Sequence, residues 1–171
     1  MSIDWSILHW VRDVLTCPFL DFLMPKLTLL SNGGAVWLLA AGGLLCTKKY
    51  RRQGLLLLGG LAVGVLVGNV CLKNLIARPR PCWLDSSVRL LIADLFPLGH
   101  TLSSVIGATI LTKTDRRFGY AAIPLAALIA FSRLYLYVHF PSDVLAAAVL
   151  GVMIGELAFY ADRRWTERRG T

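Results

Sequence analysis

Residues 54–72 read GLLLLGGLAVGVLVGNVCL, an apolar run that contains no charged residue. Its length is close to the ~20 residues that a helix needs to cross the hydrocarbon core of a bilayer. Gly60, Gly64 and Gly68 recur at every fourth position, and small residues at that spacing let helix backbones approach closely in lipid. The stretch therefore predicts a membrane-spanning helix whose glycine face packs against another helix of the same chain.

The composition of the whole chain agrees with a membrane protein. Its 171 residues are 56% hydrophobic, with a mean hydropathy of +0.63, which is too apolar for an ordinary soluble domain of this size. The net charge of +8 could suggest nucleic acid, but the basic residues form short clusters between apolar runs instead of covering one solvated face. We therefore interpret the charge as a topology signal, and we expect no nucleic-acid partner.

Five stretches are candidates for membrane-spanning helices. They are residues 33–47, 54–72, 98–112, 118–138 and 144–161. Basic clusters at 48–52, 113–117 and 162–169 fall at alternate ends of these stretches, as the positive-inside rule requires for cytoplasmic ends. The connections at 73–97 and 139–143 then face the outside.

The first 32 residues are less clear. Apolar residues fall mostly on one helical face of the first fifteen, which predicts an amphipathic helix lying in the membrane interface. The following segment contains Asp21, Pro25 and Lys26, and it could be either a sixth span or a re-entrant piece. The expected fold is one all-α domain over residues 1–171: an integral membrane bundle of five to six transmembrane helices with an N-terminal amphipathic helix.

Several cations lie on the outer face, against the bias of the positive-inside rule. Arg89 can be explained by a side chain that reaches the lipid headgroups. In the stretch LKNLIARPRP, at 72–81, Pro79 predicts a helix end near Ala77, which leaves Arg80 within reach of Lys73. Two cations held close together repel unless an anion lies between them, and arginine offers a fork suited to phosphate oxygens. A phosphate site is the natural interpretation.

The stretch SRLYLYVHFPSD, at 132–143, adds a candidate nucleophile to this face. Arg133 and His139 approach the outer surface together, and Asp143 follows the histidine by four residues. An aspartate that accepts a hydrogen bond from one ring nitrogen leaves the lone pair of the other nitrogen pointing outward. A second histidine, His100, lies in another external loop and strengthens the catalytic interpretation over a purely structural one.

Three sequence motifs together resemble the signature of the type 2 phosphatidic acid phosphatase family. They are lysine, six residues and Arg-Pro at 73–81; Pro-Leu-Gly-His at 97–100; and Ser-Arg, five residues, His, three residues and Asp at 132–143. All three occur in order, and the combination is far more specific than any one of them. The family includes membrane lipid phosphatases, undecaprenyl diphosphate phosphatases, glucose-6-phosphatase and vanadium haloperoxidases.

The resemblance implies a role for each matching residue. His139 would attack phosphorus and form a phosphohistidine, while Asp143 orients it and supports the imidazolium. His100 would protonate the leaving oxygen and later activate water. No metal and no cofactor is implied.

The phosphate-binding residues implied by the resemblance include one departure from the family pattern. Lys73, Arg80 and Arg133 would hold the phosphate oxygens, and Gly99 would allow close backbone approach. Leu98 stands where the family has a serine whose hydroxyl and backbone contact the phosphate. The lost hydrogen bond to a charged group is worth roughly 1.5–3 kcal/mol, or about ten- to a hundredfold in rate. We therefore expect activity to be limited at position 98.

The expected substrate is a lipid phosphate or diphosphate reached from the outer leaflet, with its tail in the bilayer. Undecaprenyl diphosphate, phosphatidylglycerol phosphate and phosphatidic acid all fit, and we favour the isoprenyl diphosphate. The expected location is the cell membrane, with multiple spans and the active site on the extracytoplasmic side. The alternatives are a catalytically silent lipid-phosphate-binding protein, which Leu98 makes credible, and a lipid phosphotransferase. A transporter is disfavoured because the charges gather at one face and not at the midplane.

Overall fold

The structure is a computed structural model that describes residues 2–68, 81–85 and 99–169. In these ranges the regular elements are all helical, as the sequence predicts. They are α1 (Ile3–Leu15), α2 (Pro18–Leu30), a short 3₁₀ turn (Asn32–Gly34), α3 (Ala35–Cys46), α4 (Arg51–Val67), α5 (Pro81–Leu84), α6 (Gly99–Thr114), α7 (Arg116–Tyr135) and α8 (Pro141–Arg169).

Helix α6 lies at the centre of the bundle and packs against α4, α7 and α8. Its apolar side chains are buried on several sides: Leu102, Ile106, Ile110 and Leu111 all belong to the main core. The outer helices carry large apolar side chains on their exposed faces as well, and Leu39 and Leu145 are 74% and 67% exposed. Apolar groups both inside the bundle and on its surface are typical of helices that pack in lipid.

Glycines set the distance between α4 and α6. A Cβ atom at Gly60 would lie 2.8 Å from Cδ1 of Ile110, and one at Gly64 would lie 2.5 Å from Cδ1 of Ile106. The prediction that this glycine face packs within the chain is confirmed. A second pair at the same spacing, Gly151 and Gly155 of α8, packs against α6 in the same way and was not singled out from the sequence.

Helices α2 and α3 are separated by a bend. The two segments meet at 47° across the Asn32–Gly34 turn, where Gly33 and Gly34 have φ angles of +59° and +75°. Glycine adopts this left-handed conformation without the steric penalty of a Cβ atom. The geometry is that of one broken span formed by α2 and α3 together, or of a re-entrant loop, and a separate sixth span at α2 stays a prediction.

The number of spans is only partly resolved by helix length and composition. Among the described residues, α7 and α8 are each long and apolar enough to cross a membrane, and the bent α2–α3 pair raises the total to three. Helix α3 has 12 residues, which at 1.5 Å per residue covers about 18 Å of the ~30 Å hydrocarbon core. Five to six spans remains a prediction, as does the interfacial position of α1.

The helix boundaries differ from the ranges of the candidate spans, for example in α7 and α8. Helix α7 ends at Tyr135 and not at residue 138, because Tyr137 takes a left-handed backbone conformation with φ of +59°. Helix α8 runs from Pro141 to Arg169, well beyond the predicted 144–161. Proline fits the first turn of a helix, and cations suit its C-terminal end.

The three basic clusters meet at one end of the bundle. Arg52 Nε lies 2.8 Å from Asp162 Oδ1, and the Tyr50 hydroxyl donates to Asp115 at 3.2 Å. These contacts join the start of α4, the α6–α7 connection and the C-terminal part of α8. The three basic clusters, which are separated in the sequence, therefore lie together in the folded protein.

Candidate active site

Arg133 lies fully buried in the last turn of α7, with 0% of its surface exposed. A buried guanidinium needs polar partners to offset its desolvation. Its Nη1 donates to Thr28 Oγ1 of α2 at 3.4 Å, and that hydroxyl lies 2.9 Å from Ser132 Oγ. Thr28 and Ser132 are also buried. Helix α2 thus supplies part of the polar lining around the arginine.

A tight turn carries the chain from Arg133 to His139. The amide of Tyr137 donates to the carbonyl of Leu134, and the amide of Val138 donates to the carbonyl of Arg133. Tyr137 is almost completely buried, and burial raises the pKa of its phenol. The turn brings His139 back toward the end of the helix that carries Arg133.

His139 and Asp143 are both buried, with 6% and 9% of their surfaces exposed. The Asp143 carboxylate accepts a hydrogen bond from the amide of Phe140, the residue after His139, at 3.3 Å. The amide of Asp143 in turn donates to the carbonyl of Phe140 at 3.0 Å. Asp143 therefore fixes the backbone beside the histidine from the first turn of α8.

His100 lies in the first turn of α6, directly after Gly99, and is 5% exposed. The Ser103 hydroxyl donates to the carbonyl of His100 at 3.1 Å. Free amide groups at a helix N-terminus favour an anion nearby. The position suits a histidine that works next to a phosphate.

An apolar groove of about 350 Å³ opens beside His100. Small residues line much of it, including Gly33, Gly34 and Gly64. Its remaining walls come from α3 and α4, through side chains such as Leu38 and Leu61. The groove has the character expected for a hydrocarbon chain.

These four polar residues share one end of the bundle. The start of α6, the end of α7 and the start of α8 lie at the same end, because the three helices run alternately up and down and pack together. The basic clusters lie at the opposite end of the same helices. His100, Arg133, His139 and Asp143 therefore lie toward the same end of these three helices, and their assignment as site residues, with their catalytic roles, stays a prediction.

The remaining predicted site residues are outside the described part of the chain. Lys73, Arg80 and Leu98 fall in the ranges 69–80 and 86–98. Pro81 and Cys82, which follow Arg80 in the sequence, are buried, and the Cys82 amide donates to the Tyr137 carbonyl at 3.1 Å. Segment 81–85 is therefore attached to the turn before His139.

Sequence reasoning missed the supporting contacts of this site. Thr28 and Arg133 are 105 positions apart, and Asp4 and Ser142 are 138 apart. No local pattern marks a threonine in an apolar helix, or an aspartate in an amphipathic one, as a partner of a distant loop. The only sequence signal for the Thr28 contact was that a polar residue stands in a run of leucines.

The described helices and the buried polar residues at one end of them define a helical membrane protein with a candidate site at that end. The chain belongs to the PAP2 superfamily, whose sequence profile matches residues 53–167. This confirms the family predicted from the three motifs.

Comparisons with characterised proteins agree with this membership. The chain is 31% identical over 128 residues to an undecaprenyl-diphosphatase of Sulfolobus acidocaldarius, and 30% identical over 129 residues to undecaprenyl-diphosphatase BcrC of Bacillus subtilis. The matches cover 72% and 73% of this chain but only 62% and 63% of those relatives, so the chain spans less than two thirds of their length.

Two solved structures have a similar fold. LpxE of Aquifex aeolicus superposes with a TM-score of 0.81 at 24% identity, over 94% of this chain and 96% of that one. The PAP2-type phosphatidylglycerolphosphate phosphatase of Bacillus subtilis superposes with a TM-score of 0.72 at 27% identity, over 94% of this chain and 85% of that one. The chain therefore shares its helical arrangement with these two solved structures.

Proposed function

We propose that this protein is a membrane lipid phosphatase that removes a phosphate group from a lipid phosphate monoester or diphosphate. The observation that carries the proposal is the grouping of His100, Arg133, His139 and Asp143, all buried, at one end of three packed helices. A buried cation at the same end of the bundle as two histidines and a carboxylate can bind phosphate, transfer it and move protons, which are the three tasks of such a reaction.

The proposed first step is attack of a ring nitrogen of His139 on phosphorus. The new P–N bond forms while the bond from phosphorus to the leaving oxygen breaks, and His100 gives a proton to that oxygen. Arg133, together with Lys73 and Arg80, neutralises the charge on the phosphoryl oxygens. Asp143 supports the positive charge that develops on His139.

The second step releases phosphate and restores the enzyme. His100, now neutral, takes a proton from water as the water oxygen attacks phosphorus. The P–N bond breaks, its electron pair returns to His139, and inorganic phosphate leaves. Water and the substrate are the only co-reactants in this scheme, so we expect turnover in the presence of EDTA.

The apolar groove beside His100 supports a lipid substrate. A volume of about 350 Å³ accommodates a segment of hydrocarbon chain next to the reacting group. The undecaprenyl-diphosphatases among the relatives favour undecaprenyl diphosphate. Phosphatidylglycerol phosphate and phosphatidic acid are the other candidates.

The proposed location is the cell membrane, with five to six spans and the active site on the extracytoplasmic side. The basic clusters grouped at the opposite end support this orientation, because cytoplasmic ends carry an excess of lysine and arginine. Helix α1 would then lie in the outer interface beside the site.

Leu98 favours a second candidate, a catalytically silent protein that binds lipid phosphates. It removes one phosphate contact of the family pattern and leaves the cations in place. A lipid phosphotransferase of the same chemistry would differ only in its acceptor, and an assay with a second lipid as acceptor distinguishes it.

Phosphate release from undecaprenyl diphosphate and phosphatidic acid in micelles containing EDTA tests the proposal. We expect His139→Ala to abolish release, and the control Glu167→Ala, at an exposed position of α8, to retain it. Unchanged release by His139→Ala would reject the mechanism. Binding of lipid phosphate without release by the chain as given would support the silent alternative.

A further inference from the structure

Helix α1 is tied to the loop that carries His139. The two carboxylate oxygens of Asp4 accept hydrogen bonds from Ser142, one from its amide at 3.1 Å and one from its hydroxyl at 2.9 Å. Ser142 lies in the first turn of α8, between Phe140 and Asp143. An aspartate from another part of the chain thus caps the N-terminus of α8, where a negative charge is favourable.

Two more turns of α1 continue the contact. The Trp5 ring packs edge-on against Phe140, with ring centroids 5.4 Å apart, and Leu8 is buried between Phe140 and Tyr137. Arg12 Nη1 lies 3.2 Å from Asp85 Oδ2. The inward face of α1 therefore touches both sides of the turn and also the segment that follows Arg80 in the sequence.

The turn beneath α1 has an unfavourable backbone conformation. Tyr137 is the one described residue other than glycine with a positive φ angle, at +59°. Such a conformation persists only where the surrounding structure holds it. The ring of Tyr137 is covered by α1 through Leu8, and the Arg12 guanidinium lies 5.8 Å from its centroid.

We propose that α1 acts as a strap that holds the His139 loop in its working geometry, with Asp4 as the positioning residue. Asp4 takes no part in the proposed reaction steps. It holds Ser142, which fixes the start of α8, and the first turn of α8 carries Asp143 beside His139. The catalytic part of this inference rests on the proposed function.

Substitutions at Asp4 separate hydrogen bonding from charge. Asp4→Ala removes both bonds, whereas Asp4→Asn can keep both, because its oxygen accepts from the Ser142 amide and its NH₂ donates to the hydroxyl. We expect kcat to fall at least tenfold in Asp4→Ala, with little change in KM. In Asp4→Asn we expect kcat to stay within about threefold of the value for the original protein. A tenfold loss of kcat corresponds to a rise of 1.36 kcal/mol in the activation barrier.

Hydrogen exchange of the full-length protein in micelles gives a readout that does not depend on activity. In Asp4→Ala we expect faster exchange in peptides covering residues 134–144 and unchanged exchange in those covering α6. Ser142→Ala should cause a smaller effect, since its amide can still donate, and should add little to Asp4→Ala. Ser6→Ala, at an exposed position of α1, and Glu167→Ala, an exposed carboxylate of α8, are the controls.

Each outcome decides the inference. Unchanged exchange at residues 134–144 in Asp4→Ala, or a kcat within twofold of the original, overturns it. Faster exchange in α6 as well overturns it too, because Asp4 would then stabilise the whole bundle. Loss of phosphate release from every form, with the local exchange difference intact, would reject the proposed function and still support α1 as the strap.

Discussion

The side chains of Thr28 and Arg133 meet inside the bundle, with Oγ1 and Nη1 3.4 Å apart, although 105 positions separate them in the sequence. The same threonine hydroxyl lies 2.9 Å from Ser132 Oγ. Helix α2, which precedes the Asn32–Gly34 bend, therefore contributes to the candidate active site. It supplies a polar contact to the buried cation of the candidate active site.

Replacing Thr28 with valine should weaken catalysis without unfolding the bundle. Valine keeps the shape of threonine but cannot accept from the guanidinium, and a hydrogen bond to a charged group is worth about 1.5–3 kcal/mol. We expect kcat/KM for lipid phosphate to fall about ten- to a hundredfold. The matched control is Thr109→Val, whose hydroxyl donates only to the Val105 carbonyl of its own helix. Equal activity of both variants would show that Arg133 does not depend on Thr28.

Replacing Leu98 with serine should raise turnover. Serine restores the hydroxyl of the family pattern, and we expect at least a tenfold increase in phosphate release in EDTA-containing micelles. Leu98→Ala separates the two possible causes, because it removes the leucine bulk without adding a hydroxyl. Faster turnover in both variants would indicate that the leucine side chain blocks the phosphate sterically. Faster turnover in Leu98→Ser alone would indicate that the missing hydrogen bond limits the reaction. If neither variant is faster, Leu98 does not limit the reaction.

Gly107 should tolerate no side chain. A Cβ atom there would lie 2.4 Å from Cε3 of Trp37, and that ring is fixed by its Nε1 hydrogen bond to Ser104 at 3.1 Å. Gly107→Ala should cost about 1–3 kcal/mol of folding free energy, as overpacking does in other cores. Thermal unfolding in detergent should show a Tm several degrees lower. Gly43→Ala is the control, since a Cβ atom at Gly43 meets nothing within 4 Å, and it should leave Tm unchanged or raise it.

Asp115 should make the stability of the protein depend on pH in the acidic range. Its carboxylate accepts from the Arg117 amide at 2.9 Å as the N-cap of α7, and from the Tyr50 hydroxyl. The Arg117 amide first, and the Tyr50 hydroxyl after it, lower the pKa of Asp115 below its ordinary value. Because folding lowers this pKa, the ionised carboxylate stabilises the folded protein at pH values above the pKa of Asp115 in the unfolded chain, which is about 4. This stabilisation is lost as pH falls through the lower pKa of Asp115 in the folded protein.

The measurement for Asp115 is the Tm of Asp115→Asn against the original protein at several pH values. We expect a lower Tm for the variant at pH 7, and we expect the two Tm values to converge as pH falls through the lowered pKa of Asp115. Asp13→Asn, an exposed carboxylate on α1, should show a smaller difference. A Tm gap that stays constant from pH 7 to pH 3 would contradict the ionic origin of the effect.

Much of the candidate site could be predicted from local sequence. His139 and Asp143 are four residues apart at a helix start, and Pro141 marks that start, so their proximity follows from short-range geometry. Membership of the PAP2 superfamily followed from three motifs in order. The helices do not coincide with the candidate spans: α7 ends at Tyr135, before a left-handed tyrosine, and α8 continues beyond 161 to Arg169.

The sequence by itself determined the class of the protein, the helix ends that carry its basic clusters and the Gly60–Gly64 face through which α4 approaches α6. These properties depend on hydrophobic runs, charge clusters and residue spacing within one helix, all of which are local. Only the tertiary structure decided which distant residues support the site. Thr28 contacts Arg133, and Asp4 contacts Ser142, because the packing of the helices brings the ends of distant segments to the same end of the bundle. Such contacts depend on how whole helices pack, and that packing is set by shape complementarity across the core rather than by any pattern along the chain.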